Sequence, residues 1–225
     1  VNEPLLFPTT IVENFYSDPN KIRQYALSLE YSKGNGNWPG LRTKQLDLID
    51  KDFFWFTAEK FLSVYYDNLN SDDWQVLTFF QKIYPFSADK NHFTNRGWIH
   101  KDYCAFAGIL YLTPNPDPDS GTSIFEIVDE SNNVQNYLES KKRFYRNNIL
   151  DDDYESRIEN HRKQFTETLE IKNKYNRLAL IDGHCWHGVN TLNCNNLPRL
   201  TQTFFVEKKS NIKTPLERMR NVTLL

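Results

Sequence analysis

One stretch limits the fold more than any other: Cys104-Ala105-Phe106-Ala107-Gly108-Ile109-Leu110-Tyr111-Leu112, almost wholly apolar, with Pro114, Pro116 and Pro118 close behind. No polar residue alternates with the apolar ones, so neither face can be left to water. The prolines remove the backbone donors that a continuing sheet needs. The run reads as a buried strand or strand pair at the heart of a β-rich core. The aromatic content agrees: 16 Phe, 12 Tyr and 5 Trp against 8 Gly suit broad packed faces.

Other segments carry the strand signature more weakly. Residues 74–84 are rich in aromatic and β-branched side chains, residues 121–128 read as another strand, and strands resume at 176–182 and 199–207. Two helices precede them. Asp18-Pro19 offers a cap and a first-turn proline, and Ile22, Tyr25, Ala26 and Leu29 recur at helical spacing. A second helix is expected over about 50–66, with Phe54, Phe61, Leu62 and Tyr65 on its apolar face. Residues 131–174 depart from this pattern. Val134, Tyr137, Leu138, Phe144 and Tyr145 fit one amphipathic helix. Tyr154, Ile158, Phe165 and Leu169 fit a second, opened by Asp151, Asp152 and Asp153. The expected organisation is one domain, 1–225, mainly β with flanking helices. Residues 1–70 give helical support, and 131–174 form a charged helical insertion.

Composition excludes some functions. The 225 residues, 39% hydrophobic and 25% charged, can bury one large core. A formal net charge of −2 and a pI near 6.2 provide no global positive field for duplex nucleic acid. Three cysteines, Cys104, Cys185 and Cys194, form no CxxC pair, which argues against a disulfide framework and for a reducing, cytoplasmic setting. No basic start followed by an apolar run is visible, and no stretch is long enough to cross a bilayer, so no membrane partner is expected. The sequon Asn221-Val222-Thr223 then carries no meaning.

The chemistry-bearing residues surround the apolar strands. His100-Lys101-Asp102 runs into the central one. Residues two apart on a strand share a face, so His100 and Asp102 project together while Lys101 turns away. His184 and His187 follow the apolar Leu178-Ala179-Leu180-Ile181, and their spacing puts them on opposite faces of an extended chain. Two imidazoles and one carboxylate occupy half of an octahedral ion and leave half open, as a non-haem Fe(II) oxygenase requires. Zinc is the competing reading, through His184, Cys185, His187 and Cys194, but the paired spacings of structural zinc are missing. Arg199 and Thr201 share a face, where a guanidinium and a hydroxyl can together hold a carboxylate. The basic run Lys141-Lys142-Arg143-Phe144-Tyr145-Arg146 has two readings: recognition of an anion or single-stranded nucleic acid, or a solvated helix face with its aromatics packed inward. The helical stripe favours the second.

Taken together, His100-Lys101-Asp102, His187 and Arg199-Leu200-Thr201 resemble the HxD…H…RxS/T signature of the 2-oxoglutarate and Fe(II)-dependent dioxygenases. Ile109-Leu110-Tyr111-Leu112-Thr113-Pro114 and Gly121-Thr122-Ser123-Ile124-Phe125 are similar to core strands of the prolyl-hydroxylase-like branch. Trp186-His187-Gly188-Val189 is similar to that branch's distal histidine turn. The likeness spans roughly residues 74–207. It departs at Gly121, where the branch commonly has two glycines, and at Arg199, where prolyl hydroxylases usually carry lysine.

The resemblance implies a double-stranded β-helix, a cupin-like jelly-roll of two sheets. It implies Fe(II) held by His100, Asp102 and His187. The cosubstrate 2-oxoglutarate would chelate the iron by its keto-acid end, with Arg199 and Thr201 on the far carboxylate and Tyr84 touching it. Oxygen would be the co-reactant, with succinate and CO2 as co-products of C–H hydroxylation on a small molecule or peptide side chain. No catalytic side chain is expected beyond the metal ligands, since the hard chemistry belongs to metal and cosubstrate. Two alternatives stand beside this: a nucleic-acid-base demethylase of the same superfamily, and a non-catalytic jelly-roll binding module.

Overall fold

The computed structural model describes residues 4–67, 69–128 and 137–222. The first helix begins where the sequence places it. Asp18 accepts the backbone N–H of Lys21 at 3.0 Å, Pro19 opens the turn, and α1 runs Pro19–Ser28. Asp50 does the same for α2, Lys51–Leu62, accepting the Phe53 N–H at 2.9 Å.

The strands are β1 Thr10–Val12, β2 Leu41–Arg42, β3 Trp74–Ile83, β4 Phe106–Tyr111, β5 Thr122–Ile127, β6 Phe165–Ile171, β7 Leu178–Asp182, β8 Trp186–Gly188 and β9 Arg199–Lys208. Three more helices complete the order: α3 Tyr137–Tyr145, α4 Tyr154–Arg162 and α5 Pro215–Arg220. A six-stranded antiparallel sheet runs β1-β7-β4-β9-β3-β2, and a three-stranded antiparallel sheet runs β6-β5-β8. The apolar run read as a central strand is β4, between β7 and β9, with Phe106, Leu110 and Tyr111 fully buried. No described helix is long and apolar enough to cross a membrane.

One face of the large sheet takes the N-terminal helices. The Phe61 ring of α2 stacks on Phe204 at 4.3 Å and on Phe106 at 5.5 Å. Gly108 on β4 makes this approach open: a Cβ there would lie 2.2 Å from the Phe61 ring. The opposite face of β3, β4 and β9 looks toward the small sheet, and the cavity described below lies between the two.

Two expectations change. Residues 1–70 are not purely helical support: β1 extends the large sheet beside β7 and β2 extends it beside β3. The insertion begins as a hairpin of α3 and α4, but Phe165–Ile171 is strand β6, paired with β5 in the small sheet. The cause is periodicity. Phe165 and Leu169 are four apart, which repeats on a helix face and equally on a strand face. Thr166, Glu167, Thr168 and Glu170 then fill an outer strand, and Phe165 and Ile171 are its buried ends. Val134 and the sequon's Thr223 lie outside the described residues.

Candidate metal centre

His100 and Asp102 do not sit in a regular strand. They lie on an extended segment before β4, held by main-chain bonds at two points. His100 and His187 exchange both backbone N–H···O bonds at 2.9 Å, and the Asp102 N–H donates to the Gly183 carbonyl at 2.9 Å. Extended geometry without a full ladder still points alternate residues the same way, and the shared face survives. Lys101 turns outward, its Nζ 5.0 Å over the Trp186 ring.

Glycine makes the second clamp. A Cβ on Gly183 would lie 2.0 Å from the Cys104 carbonyl oxygen and 3.1 Å from that of Asp102. Gly183→Ala is therefore expected to push the Asp102 segment off its partner and weaken Co(II) binding about tenfold, the lower end of what loss of ligand support costs. A Co(II) titration giving wild-type affinity would show that the crossing does not govern the site.

The three side chains converge. His187 Nε2 is 3.3 Å from one Asp102 carboxylate oxygen, His100 Nε2 is 3.7 Å from the other, and one ligand atom from each residue lies within 4.8 Å of the others. Neighbouring ligands on an ion with bonds of about 2.1 Å sit about 3 Å apart, so a small inward movement completes the set. The tautomers suit a metal as well. His100 Nδ1 meets the Trp98 carbonyl at 2.9 Å and His187 Nδ1 meets the Cys185 carbonyl at 3.0 Å. A carbonyl only accepts, so Nδ1 carries the proton in each ring and Nε2 keeps its lone pair for the ion.

Electrostatics point the same way. Burial, helped by the charge of Lys141, pushes His100 well down, which keeps the ring neutral as a ligand must be. Burial opposes the charge on Asp102, and with both rings neutral Lys141 is the cation that favours its carboxylate.

The helical insertion supports this segment from outside. His161 of α4 donates from Nε2 to the Ile99 carbonyl at 2.8 Å, Arg162 donates to the Gly97 carbonyl at 2.8 Å, and Trp98 donates to the Tyr154 hydroxyl at 3.0 Å. The expected inward packing of Phe144 and Tyr145 is present, in a cluster with Trp98, Tyr154 and Ile158. Lys141, from the same basic run, instead lines the cavity beside the triad, and burial pushes it down to about 8. The helical stripe locates the aromatics, but which way the intervening lysine faces depends on where α3 docks.

Of the other sequence candidates, the structure gathers some and separates others. Arg199 is 3% exposed and lines the same cavity, with its Nε donating to the Ser120 carbonyl at 2.7 Å and its guanidinium 5.4 Å over the Tyr111 ring. Thr201, two along β9, is fully buried. Arg199 Nη2 and Thr201 Oγ1 are both buried with no hydrogen-bond partner among the described residues. Tyr84 is placed differently from the expectation: it is 53% exposed just past the end of β3 and does not line the cavity. Pro85 breaks the strand there and the chain leaves the sheet. The tyrosine beside Arg199 is Tyr111 of β4, whose hydroxyl donates to Thr122 at 2.8 Å.

His184 is exposed and outside the cluster. Its backbone N–H donates to Asp182. Asp182 is fully buried, but its carboxylate is engaged by the N–H groups of Leu6, Phe7 and His184. Cys185 and Cys194 are buried, free thiols, and Cys104 is half-buried. Among the described residues, His100, Asp102 and His187 form the group that could hold a metal ion, and no cysteine belongs to it.

Solved structures share this architecture. HygX of Streptomyces hygroscopicus, with nickel, 2-oxoglutarate and hygromycin B bound, superposes with a TM-score of 0.55 at 10% identity, covering 92% of this chain and 86% of that one. The iron-bound form of HygX gives 0.52 at 10% identity, over 92% and 85%. SnoN from nogalamycin biosynthesis, a non-haem alpha-ketoglutarate-dependent epimerase, gives 0.52 at 8% identity, over 90% and 78%. The fold is thus that of the 2-oxoglutarate-dependent non-haem metal enzymes. No curated protein matches the chain in sequence. Residues 6–203 match the family described as a family of unknown function, DUF6445, and the chain belongs to that family.

Proposed function

We propose that this protein is an Fe(II)- and 2-oxoglutarate-dependent dioxygenase that hydroxylates an unactivated C–H bond of a small molecule or peptide side chain. The observation that carries this is the pairing of a His100, Asp102 and His187 cluster with two orphaned donors: Arg199 Nη2 on the cavity wall, and Thr201 Oγ1 on β9 between the lining residues Arg199 and Thr203. Buried polar atoms are almost always hydrogen-bonded, so a buried guanidinium and hydroxyl without partners mark the place of an anion. We read the two sheets around the cavity as a double-stranded β-helix, since β3, β4 and β9 line it from one side and β5 and β8 from the other.

The division of labour follows. His100, Asp102 and His187 would hold Fe(II) on one face. Arg199 and Thr201 would hold the far carboxylate of 2-oxoglutarate and aim its keto-acid end at the triad. When bound, iron and cosubstrate supply the redox chemistry: O2 and 2-oxoglutarate are consumed, succinate and CO2 leave, and one oxygen atom passes to the substrate. Ile109, Ala107, Val189 and Leu192 wall the cavity with apolar surface and exclude water from it. The hygromycin B bound to HygX favours a small molecule over a peptide as the oxidised partner.

Anaerobic addition of Fe(II) and 2-oxoglutarate is expected to give a visible charge-transfer band, and admission of air is expected to give succinate. Protein that yields neither band nor succinate would refute the reading. Protein that also takes up no Co(II) would be a binding module instead.

A further inference from the structure

Two more cations line the same cavity, and neither is needed for iron or for 2-oxoglutarate. Arg42, on edge strand β2, lies with its guanidinium 4.0 Å over the Trp38 ring and 4.4 Å over the Phe79 ring. Its Nε and Nη2 both donate to Gln81, at 3.2 and 3.1 Å. Its Nη1 has no partner among the described residues. Stacking and a bidentate anchor fix the guanidinium plane and leave one amino group to offer.

Lys141 comes from the other side, on α3. Its neighbours in the basic run are paired: Lys142 with Glu139 and Arg143 with Asp151. Lys141 has no ion pair among the described residues, although it is drawn into the cavity within electrostatic reach of both Arg42 and Asp102. Two like charges gathered in a half-closed space are costly unless an anion comes between them.

The charge balance identifies what is missing. Among the described lining residues the cations are Arg42, Lys141 and Arg199, and Asp102 is the only carboxylate. A ferrous ion adds two positive charges, and 2-oxoglutarate brings two negative ones. With metal and cosubstrate in place, two positive charges remain uncompensated. The cosubstrate cannot supply them, because one of its carboxylates is engaged at the metal and the other at Arg199.

We propose that Arg42 and Lys141 form an anion subsite for the oxidised molecule, which is a small compound carrying a carboxylate or phosphate group. This rests on the iron and 2-oxoglutarate reading of the cavity. Trp38 and Phe205, whose rings lie 4.0 and 5.8 Å from the Arg42 guanidinium, give the subsite an apolar wall, so the anionic group is attached to an apolar body. The anion is held between β2 and α3, and the rest of the molecule reaches toward the triad.

The test uses the protein loaded with Co(II) and 2-oxoglutarate under argon, titrated by calorimetry with phenyl phosphate, phenylacetate and the neutral phenylacetamide. At least one anion is expected to bind about tenfold or more tighter than the amide, a difference of about 1.4 kcal/mol. Arg42→Gln and Lys141→Gln are each expected to lose about tenfold in anion affinity while 2-oxoglutarate affinity stays within about twofold. Which anion binds better separates a phosphate from a carboxylate substrate. An amide that binds as well as both anions, or anions that do not bind, would overturn the subsite. Variants that lose 2-oxoglutarate instead would reassign the two cations to the cosubstrate and overturn it as well. The Fe(II) charge-transfer band of the wild type is recorded first. Its absence refutes the cosubstrate reading by itself, and the same titration on metal-free protein still decides the subsite.

Discussion

Asp102→Ala abolishes 2-oxoglutarate turnover and leaves the protein folded: that is the largest effect expected of any single substitution here. Asp102 is the only carboxylate among the described residues lining the cavity, and it lies between the Nε2 atoms of His100 and His187. Removing a hydrogen-bond partner of a metal ligand already costs about 10–100-fold in affinity, so removing the ligand costs at least about 100-fold. Succinate formation falls to background. The fold survives because the main chain holds this segment, through the paired bonds of His100 with His187 and the Asp102 N–H on Gly183. Circular dichroism and the thermal midpoint check the fold, and Co(II) titration checks the site. A variant making succinate at the wild-type rate would remove Asp102 from the centre. His100→Ala and His187→Ala are expected to behave alike.

Arg199→Met is expected to separate the cosubstrate from the metal. Methionine keeps much of the apolar stem and removes the charge that Ser120 and the Tyr111 ring hold in place. Deleting one partner of a buried charge pair costs about 2–5 kcal/mol, which is about 30-fold to several thousand-fold in 2-oxoglutarate affinity. Co(II) affinity stays at the wild-type level, because Arg199 is not in the ligand cluster. Thr201→Val removes a single neutral hydrogen bond and costs about 0.5–1.5 kcal/mol. The two together rank the anchors. An unaltered 2-oxoglutarate affinity in Arg199→Met would take the guanidinium out of that role.

Several parts of this molecule are legible in its sequence. The apolar run became β4 because a stretch without polar alternation has only the interior to occupy. The Asp18 and Asp50 caps are local, and local chemistry does not wait for tertiary contacts. Spacing along the chain pairs His100 with Asp102, the likeness to a known signature adds His187 over His184, and the three side chains converge in the fold. The misread parts depend on partners distant in sequence. Phe165 and Leu169 fit both periods, and only pairing with β5 makes that segment a strand. Tyr84 shares the sheet's sequence character, but the chain turns away at Pro85 and leaves the ring half-exposed.

The amino-acid order alone offers the donor atoms for a metal ion and an acidic cosubstrate, and it is the likeness to a known signature that selects His100, Asp102, His187, Arg199 and Thr201 among them. It did not determine what else shares their cavity. Arg42 belongs to a two-residue edge strand with no local signal, and Lys141 to a basic helical run whose sequence does not say which of its cations faces inward. That both line one cavity with Asp102 is decided by sheet order and by how α3 docks against the core, which are contacts between segments about a hundred residues apart.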